Sequence, residues 1–214
     1  MSNRKAIKIP SKNEKLAEFI GIMLGDGNIF MNKDVAQIRI AGDRKSEMEF
    51  MINFVKPLIM ELFNIVPRIV LHKATNEVFV AIENRNLAEF LLSIGLSEGN
   101  KIKKQISIPS WIRNDKTLLK ACLRGLIDTD GSVFRMSKKD FDNPRISFKS
   151  NNRRLLEDVR NSLIELGFHP SRIIINQIFI SRLSDIKKFE EAIGFNNPKH
   201  KIRLKQIAPW CSED

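Results

Sequence analysis

The sequence predicts an α+β fold made of two similar halves, each with the element order αββαββα. Two nonapeptides indicate the repeat: residues 19–27 read FIGIMLGDG and residues 123–131 read LRGLIDTDG. Each has Gly in third place and Asp-Gly at its close, and the closing glycines lie 104 positions apart, at 27 and 131. Internal similarity at this separation indicates a repeated structural unit. Strand and helix patterns follow each nonapeptide in the same order, which extends the repeat over both halves.

Both nonapeptides lie on predicted amphipathic helices. A capping-box pattern, Ser11 with Glu14, predicts that the first helix begins at Ser11 and runs to about residue 25, and the second is predicted over about 115–129. Gly21 and Gly125 occupy equivalent places within them. Gly inside a helix costs about 1 kcal/mol relative to Ala. We therefore expect the two helices to pack against each other with their backbones in contact at these glycines.

The remaining elements follow from turn residues and hydrophobic periodicity. In the first half the prediction is strands 28–31 and 35–41, a helix over 45–64, strands 68–72 and 77–82, and a helix over 84–94. In the second half it is strands 132–138 and 145–149, a helix over 152–166, strands 172–175 and 177–181, a helix over 185–193, and a short basic helix within 195–214. We assign residues 1–106 to the first half, 107–116 to a linker and 117–214 to the second half.

The charge balance predicts a polyanionic partner. Lys and Arg number 36 against 25 Asp and Glu, which gives a formal charge of +11. Such an excess fits nucleic acid, although charge alone also fits an acidic membrane surface or solubility. A basic connective stretch, residues 96–116, contributes Lys101, Lys103 and Lys104.

Cysteine usage and hydropathy predict a soluble protein of a reducing compartment. The two cysteines, Cys122 and Cys211, fit neither a disulfide framework nor a zinc site, and the three histidines form no triad or metal motif. The sequence shows neither an apolar run long enough for a membrane span nor the apolar core of a signal peptide. We expect a monomer in the cytoplasm, associated with the nucleoid if the source is prokaryotic; organellar encoding stays open.

The two motif acids predict a metal site. If the helices pack through their glycines, Asp26 and Asp130 meet at the C-terminal ends, where the helix macrodipoles are already negative and like charges repel. Such an arrangement requires a cation, and oxygen ligands suit Mg²⁺, which is typically shared with substrate phosphates. The main-chain carbonyls of Gly25 and Thr129 are candidates to complete the coordination. A metal between carboxylates and a phosphate is a hydrolytic arrangement.

The motif LRGLIDTDG resembles the signature of the LAGLIDADG homing endonucleases, and FIGIMLGDG resembles the degenerate first copy in their single-chain members. Residues 95–112 and 193–207 resemble helix ends and linkers of archaeal-type members. The resemblance implies LAGLIDADG helices packed at the interface of a pseudo-symmetric tandem repeat, with two antiparallel sheets forming a DNA-binding saddle. It also implies a monomeric enzyme that cleaves both strands of a long pseudo-palindromic DNA site with Mg²⁺, whose place Mn²⁺ or Ca²⁺ can take.

The resemblance also assigns catalytic roles. The last acid of each motif in that family binds metal, which implies this role for Asp26 and Asp130, whereas Asp128 is interpreted as a polar residue near the helix end. Family members carry a further polar residue near the end of the second strand of each half, and Lys149 is the match in the second half. The first half offers no obvious Gln at the corresponding place. Either Asp43, Arg44 or Lys45 takes the role of this polar residue there, or water alone fills it.

Strand alternation predicts the DNA-binding face. In residues 145–149, Ile146 and Phe148 point one way and the polar residues point the other, where they suit phosphates and major-groove base edges. The candidates on this face are Asn28, Phe30, Asn32, Gln37, Arg39, Glu77, Phe79, Ser132, Phe134, Met136, Lys138, Arg145, Ser147, Lys149, Gln177 and Ser181. If Phe30, Phe79 and Phe134 are core residues instead, the alternation is displaced by one.

Three other functions remain open at this stage. An intron RNA maturase would use the same scaffold and charge, with intron RNA as an added partner. A DNA-binding regulator without cleavage would be expected to lose one motif acid, and both are present. An intein domain is disfavoured because no nucleophile opens the chain and no His-Asn closes it.

Overall fold

The computed structural model describes residues 3–72, 74–136 and 143–208 and contains two similar halves around a central helix pair. Helices α1 (Glu14–Gly25) and α7 (Lys116–Asp130) carry the two nonapeptides and pack along each other. The predicted fold class, an α+β repeat with two antiparallel sheets, is confirmed. One cap differs from the prediction: the N-cap of α1 is Asn13, whose side chain accepts from the Leu16 N–H, and not Ser11.

Gly21 and Gly125 allow α1 and α7 to pack closely, as the sequence predicts. A Cβ atom placed on Gly21 would lie 2.1 Å from the Cys122 carbonyl oxygen. One placed on Gly125 would lie 2.3 Å from the Glu18 carbonyl oxygen. Both distances are shorter than any ordinary contact, and both are to backbone atoms. The absence of side chains at these positions is therefore what allows the two backbones to touch.

The first half follows the predicted order αββαββα. Its sheet has strand order β1-β2-β4-β3. The strands are β1 (Gly27–Met31), β2 (Ala36–Asp43), β3 (Arg68–Leu71) and β4 (Glu77–Glu83). The predicted helix over 45–64 is present as α2 (Met48–Phe50), a π-helical turn (Met51–Val55) and α3 (Lys56–Phe63). Helix α4 (Arg85–Ser93) ends this half and is capped by Asn84.

The connection between the halves contains two short helices, α5 (Lys101–Lys104) and α6 (Ser110–Arg113). The second half has a three-stranded sheet of order β5-β6-β7. Its strands are β5 (Gly131–Arg135), β6 (Pro144–Lys149) and β7 (Gln177–Ile180), and its helices after α7 are α8 (Arg153–Glu165), α9 (Leu183–Ala192) and α10 (Pro198–Ile207).

The strand predicted over 172–175 is wrong. These residues form a single bridge, Ile174 with Gln177, and Ile175 has a left-handed backbone with φ of 57°. A β-branched residue in that conformation cannot continue an extended strand. The second sheet therefore lacks the counterpart of β3.

One contiguous core lies between the sheets and the helices. The alternation predicted for the strands is correct on this side, since Ile38, Ile40, Ile146 and Phe148 are all at most 1% exposed. No helix within the described ranges is both long and apolar enough to cross a membrane.

Candidate active site

The C-terminal ends of α1 and α7 meet at one point of the molecule. Asp26 is the C-cap of α1, with its N–H donating to the Ile22 carbonyl, and Asp130 is the last residue of α7. A Cβ atom on Gly25 would lie 2.1 Å from Thr129 Oγ1 and 3.5 Å from Asp130 Oδ2. The second motif acid is therefore adjacent to the residue that precedes the first, as the packing of the glycines requires.

Both motif acids lie in a poorly solvated, negative environment. Burial raises the pKa of Asp26 to about 7, and repulsion from Asp130 and Glu47 adds to the effect. Burial also raises the pKa of Asp130 to about 6, with Glu47 again contributing, while the Lys101 ammonium acts in the opposite direction. The folded chain therefore holds two carboxyl groups that resist ionisation together. A cation bound between them would remove this penalty.

Glu47 is a third carboxylate at the site, which sequence reasoning missed. It is 6% exposed, and its Oε1 atom accepts from Lys199 Nζ at 2.7 Å and from Asn197 Nδ2 at 3.3 Å. Its Oε2 atom accepts from the Asp43 N–H at 2.8 Å. Glu47 thus links the end of β2 to the start of α10, and its charge acts on both motif acids.

Lys101 is the second residue that the sequence did not assign to the site. Its Nζ donates to the carbonyls of Met23 and Leu24, both at 3.0 Å, and to that of Gly25. These carbonyls belong to the last turn of α1, where a helix leaves its acceptors unpaired and its dipole is negative. The ammonium therefore stabilises the end of the first motif helix directly beside Asp26.

Two cavities flank the acids, and their linings differ in charge. A cavity of 470 Å³ lies on the Asp130 side and is lined by Lys101, Lys149 and Asn151, among others. A cavity of 340 Å³ on the Asp26 side has a predominantly acidic lining, made by Asp26, Ala41, Gly42, Asp43, Glu47, Asn76 and Glu77. The two halves of the site are therefore chemically unequal.

The cavity linings also locate the predicted second-strand residues. Lys149 lines the same cavity as Asp130, where the prediction put it. Of the three first-half candidates, Asp43 is beside Asp26, whereas Arg44 and Lys45 are absent from that cavity's lining. The Asp43 carboxylate accepts from Ser46 and Lys45, and its hydrogen bonds to Ser46 lower its pKa.

The donor set fits a divalent cation that shares its coordination with a substrate. Across the described ranges, no group of three or more His, Cys, Asp or Glu side chains is arranged to hold a metal ion alone. Two carboxylates and helix-end carbonyls would supply some oxygen ligands, and the rest would come from water and phosphate. That division is the usual one for Mg²⁺. The attraction of the site for a cation is shown by the Lys101 ammonium bound at the Gly25 carbonyl.

The outer face of the first sheet carries the predicted polar side chains. Asn28 and Phe30 alternate with buried residues along β1, and they pair with Arg39 and Gln37 of β2. Phe30 is 52% exposed, which excludes the alternative that it is a core residue. The Arg39 guanidinium lies over the Phe79 ring at 5.7 Å from its centroid. The strand-face assignment is thus correct for this half, and Glu77 is exposed at the start of β4.

Asn32 lies in the turn between β1 and β2, where the sequence also predicts a turn. Its Oδ1 atom accepts from the N–H groups of Asp34 and Val35, at 2.9 and 2.7 Å, and so closes the β1–β2 turn. This use of the side chain oxygen is the ordinary role of Asn in a turn. Asn32 is therefore a turn residue beyond the strand face.

The outer face of the second sheet is partly covered by its own rings. Phe134 and Phe179 meet edge to face, with centroids 6.3 Å apart, and both are half-buried. Ser147, paired with Ser132 and Phe179, is 3% exposed, so its predicted exposure to DNA is wrong. The other candidates are half-buried or exposed: Ser132, Met136, Arg145, Lys149, Gln177 and Ser181. Lys138 lies outside the described residues.

Similarity to known proteins covers the motif and most of the fold. The model of the LAGLIDADG-like domain matches residues 117–194. The structure of I-DmoI in complex with DNA and Mn aligns with 86% of this chain and 98% of that one, with a TM-score of 0.57 and 20% identity. Residues 117–194 thus match a LAGLIDADG-like domain, and the chain as a whole shares its fold with I-DmoI. Full-length DUF199/WhiA from Thermatoga maritima also shares the fold, with a TM-score of 0.56, 19% identity, and coverage of 90% of this chain and 59% of that one.

A curated relative is much longer than this chain. The replication factor C small subunit of Methanocaldococcus jannaschii is 28% identical over 209 residues, which are 91% of this chain and 10% of that protein. The similarity thus concerns a segment within a larger polypeptide.

Asp128, the earlier acid of the second motif, lines neither of the two cavities and contacts the segment before α10. It is completely buried, its Oδ2 atom accepts from the Asn196 N–H at 2.8 Å, and its carbonyl accepts from Asn197 Nδ2 at 2.9 Å. Burial raises its pKa to about 7. These contacts join the end of α7 to the segment before α10.

The raised pKa values predict how stability responds to pH when metal is removed. A carboxyl group whose pKa is raised by folding binds more protons in the folded state, so that stability falls as pH rises between the two values. For Asp26 this window extends from its ordinary value of 3.8 to about 7. We expect Asp26→Asn to be more stable than the native chain at pH 8 in EDTA, by on the order of 2–3 kcal/mol. The difference should disappear near pH 4.

Thermal unfolding in EDTA across this pH range measures the effect. Asp34→Asn, an exposed change in the β1–β2 turn, serves as the control and should follow the native curve. His200, whose pKa burial lowers to about 3, contributes an opposite slope but does so equally in every chain compared. Identical pH dependence of the native chain and Asp26→Asn would contradict the electrostatic description of the site.

Proposed function

We propose that this protein is a site-specific DNA endonuclease that cleaves both strands of a long, imperfectly palindromic duplex with divalent metal. The observation that supports this function most directly is the meeting of Asp26 and Asp130 at the adjoining ends of two helices. Each half of the chain then binds one half of the DNA site, and the acids lie at its centre. The net charge of +11 matches a polyanionic duplex.

The residues of the site have distinct roles in this proposal. Asp26 and Asp130 hold Mg²⁺, or Mn²⁺ or Ca²⁺ in its place, and bound metal supplies activation of water and stabilisation of the leaving oxygen. Lys149, beside Asp130, is placed to contact a phosphate or to orient water. The related fold of I-DmoI is known in complex with DNA and Mn and with DNA and Ca, which supports the choice of metals.

The outer strand faces bind the duplex in this proposal. Asn28, Gln37 and Arg39 lie on the outer face of the first sheet, at the spacing of alternate strand positions. The half-buried or exposed polar residues of the second sheet include Ser132, Arg145, Lys149 and Gln177. Such residues suit major-groove base edges and phosphates. Phe30, at 52% exposure, adds an apolar surface for contact with a thymine methyl or a sugar.

A second candidate is a DNA-binding protein without cleavage, because the same fold occurs in DUF199/WhiA. The fold alone therefore does not decide between the two, and the pair of retained acids favours the endonuclease. Intron RNA remains a further partner to test. In each case the scaffold and its basic surface would be the same.

Selection from a randomised duplex library separates these functions. The native chain is incubated with the library and Mg²⁺, and both bound and cleaved molecules are sequenced. We expect cleaved ends that share one long motif with imperfect two-fold symmetry, and none after addition of EDTA. Enrichment of a bound motif without cleavage in Mg²⁺ or Mn²⁺ would favour the DNA-binding alternative and contradict the proposed enzyme. Binding of structured RNA in preference to duplex would support the maturase.

A further inference from the structure

Lys101 occupies a place that the proposed metal also requires. Its ammonium donates to three successive carbonyls at the end of α1, those of Met23, Leu24 and Gly25. The Gly25 carbonyl is also the main-chain oxygen proposed as a ligand beside Asp26. Two cations at one oxygen repel each other strongly in a poorly solvated site. The ammonium and a divalent ion therefore exclude each other at this carbonyl.

Lys101 interacts electrostatically with both motif acids. Its ammonium contacts the carbonyl of Gly25, the residue before Asp26, and its charge opposes the rise in pKa of both Asp26 and Asp130. It also lines the cavity on the Asp130 side. The Asn100 side chain caps α5, the short helix on which Lys101 is the first residue, by accepting from the Lys103 N–H at 2.9 Å. A local cap thus fixes the backbone from which the ammonium reaches the site.

The second helix end is stabilised differently. By the spacing of the repeat, Leu24 corresponds to Asp128, and the Asp128 carbonyl accepts from the neutral amide of Asn197 at 2.9 Å. Asn197 caps α10 much as Asn100 caps α5. Each motif helix thus receives a donor at its C-terminal end from the segment that follows its half of the chain. The donor to the Leu24 carbonyl is the charged Lys101, whereas the donor to the Asp128 carbonyl is the neutral Asn197.

We propose that Lys101 is an internal counter-cation that holds the first motif helix end in the metal-free protein and competes with the divalent ion for it. The inference rests on the proposed metal site but not on DNA cleavage. Binding of metal beside Asp26 requires the ammonium to withdraw from the Gly25 carbonyl. The first metal position is therefore the weaker one, and the loss of the ammonium strengthens it.

Metal titration of the full chain without DNA tests this proposal. Ca²⁺ binding is measured by calorimetry for the native chain, Lys101→Met, Lys101→Gln and the control Lys104→Met, which changes an exposed lysine of the same short helix. We expect Ca²⁺ to bind Lys101→Met about tenfold more tightly than the native chain, which is a typical size for coupling between two competing cations. Lys104→Met should bind Ca²⁺ like the native chain. Lys101→Gln, which keeps a neutral donor to the carbonyls, should change in the same direction.

Thermal unfolding provides the second measurement. In EDTA, Lys101→Met should unfold at a lower temperature than the native chain, and excess Ca²⁺ should raise its unfolding temperature more than it raises that of the native chain. Equal or weaker Ca²⁺ binding by folded Lys101→Gln would overturn the proposal, and so would the absence of binding by every chain. If the native chain cleaves DNA but the Lys101 substitutions leave Ca²⁺ affinity unchanged, only this inference is contradicted. Lys101-dependent metal binding without cleavage would contradict only the proposed function.

Discussion

Replacement of Asp130 by Asn is expected to lower the rate of metal-dependent DNA cleavage by about a thousandfold or more, because the loss of a metal ligand removes several kcal/mol of transition-state stabilisation. Asp26→Asn should have an effect of similar size. DNA affinity should be unchanged or higher, since each substitution removes a negative charge from the surface that we propose to face DNA phosphates. Single-turnover cleavage of a selected target, with binding measured separately in Ca²⁺, checks both statements.

The control for this pair is Asp34→Asn, which removes a carboxylate from an exposed turn away from the helix ends. Its cleavage rate should equal that of the native chain. If Asp130→Asn cleaved at the native rate, the assignment of the motif acids to the reaction would be wrong. Lost cleavage together with lost DNA binding would point to a folding defect, which the thermal unfolding curves described above would detect.

Replacement of Gly125 by Ala is expected to destabilise the folded chain by about 3 kcal/mol. The added methyl group would lie 2.3 Å from the Glu18 carbonyl oxygen and 2.9 Å from the Ile22 amide nitrogen. Because both are backbone atoms, the two helices must separate, and overpacking of this kind costs about 1–3 kcal/mol or more. The gain of about 1 kcal/mol in helix propensity offsets only part of this loss.

Urea unfolding measures the change, with Lys116→Ala as the control on an exposed position of the same helix. The control should alter stability by less than about 0.5 kcal/mol. Gly21→Ala, whose methyl group would meet the Cys122 carbonyl, should reproduce the loss at Gly125. A stability of Gly125→Ala equal to or above that of the native chain would show that the helix backbones do not touch as described.

Periodic patterns predicted the fold well because they report which face of an element is buried. The alternation of Ile38 and Ile40 identified the inner face of β2, and both residues are at most 1% exposed. The glycines at equivalent places in the two motifs identified the helix contact. Local exceptions escaped the pattern: Ser11 and Asn13 are both able to cap a helix, and only the structure shows that Asn13 does so.

Only those residues of the candidate site that occupy equivalent positions in the two motifs could be predicted from the sequence. Asp26 and Asp130 stand at matched positions, whereas Glu47, Lys101 and Lys199 approach them from distant parts of the chain. Tertiary contact of this kind leaves no periodicity in a single sequence. A weaker signal existed, because KIKKQI at 101–106 is similar to KIRLKQI at 201–207. That similarity indicates equivalent segments after each half. Lys101 lies within the first segment, and Asn197, the donor to the second motif helix, lies just before the second.

Anomalous scattering from Mn²⁺ in crystals of the protein bound to its selected DNA is the most direct test of the site. The measurement locates the metal without reference to activity. We expect Mn²⁺ at the adjoining helix ends, in contact with the carboxylates of Asp26 and Asp130 and with DNA phosphate oxygens. Mn²⁺ bound only elsewhere, with these carboxylates directed away from each other and from the DNA, would contradict the account.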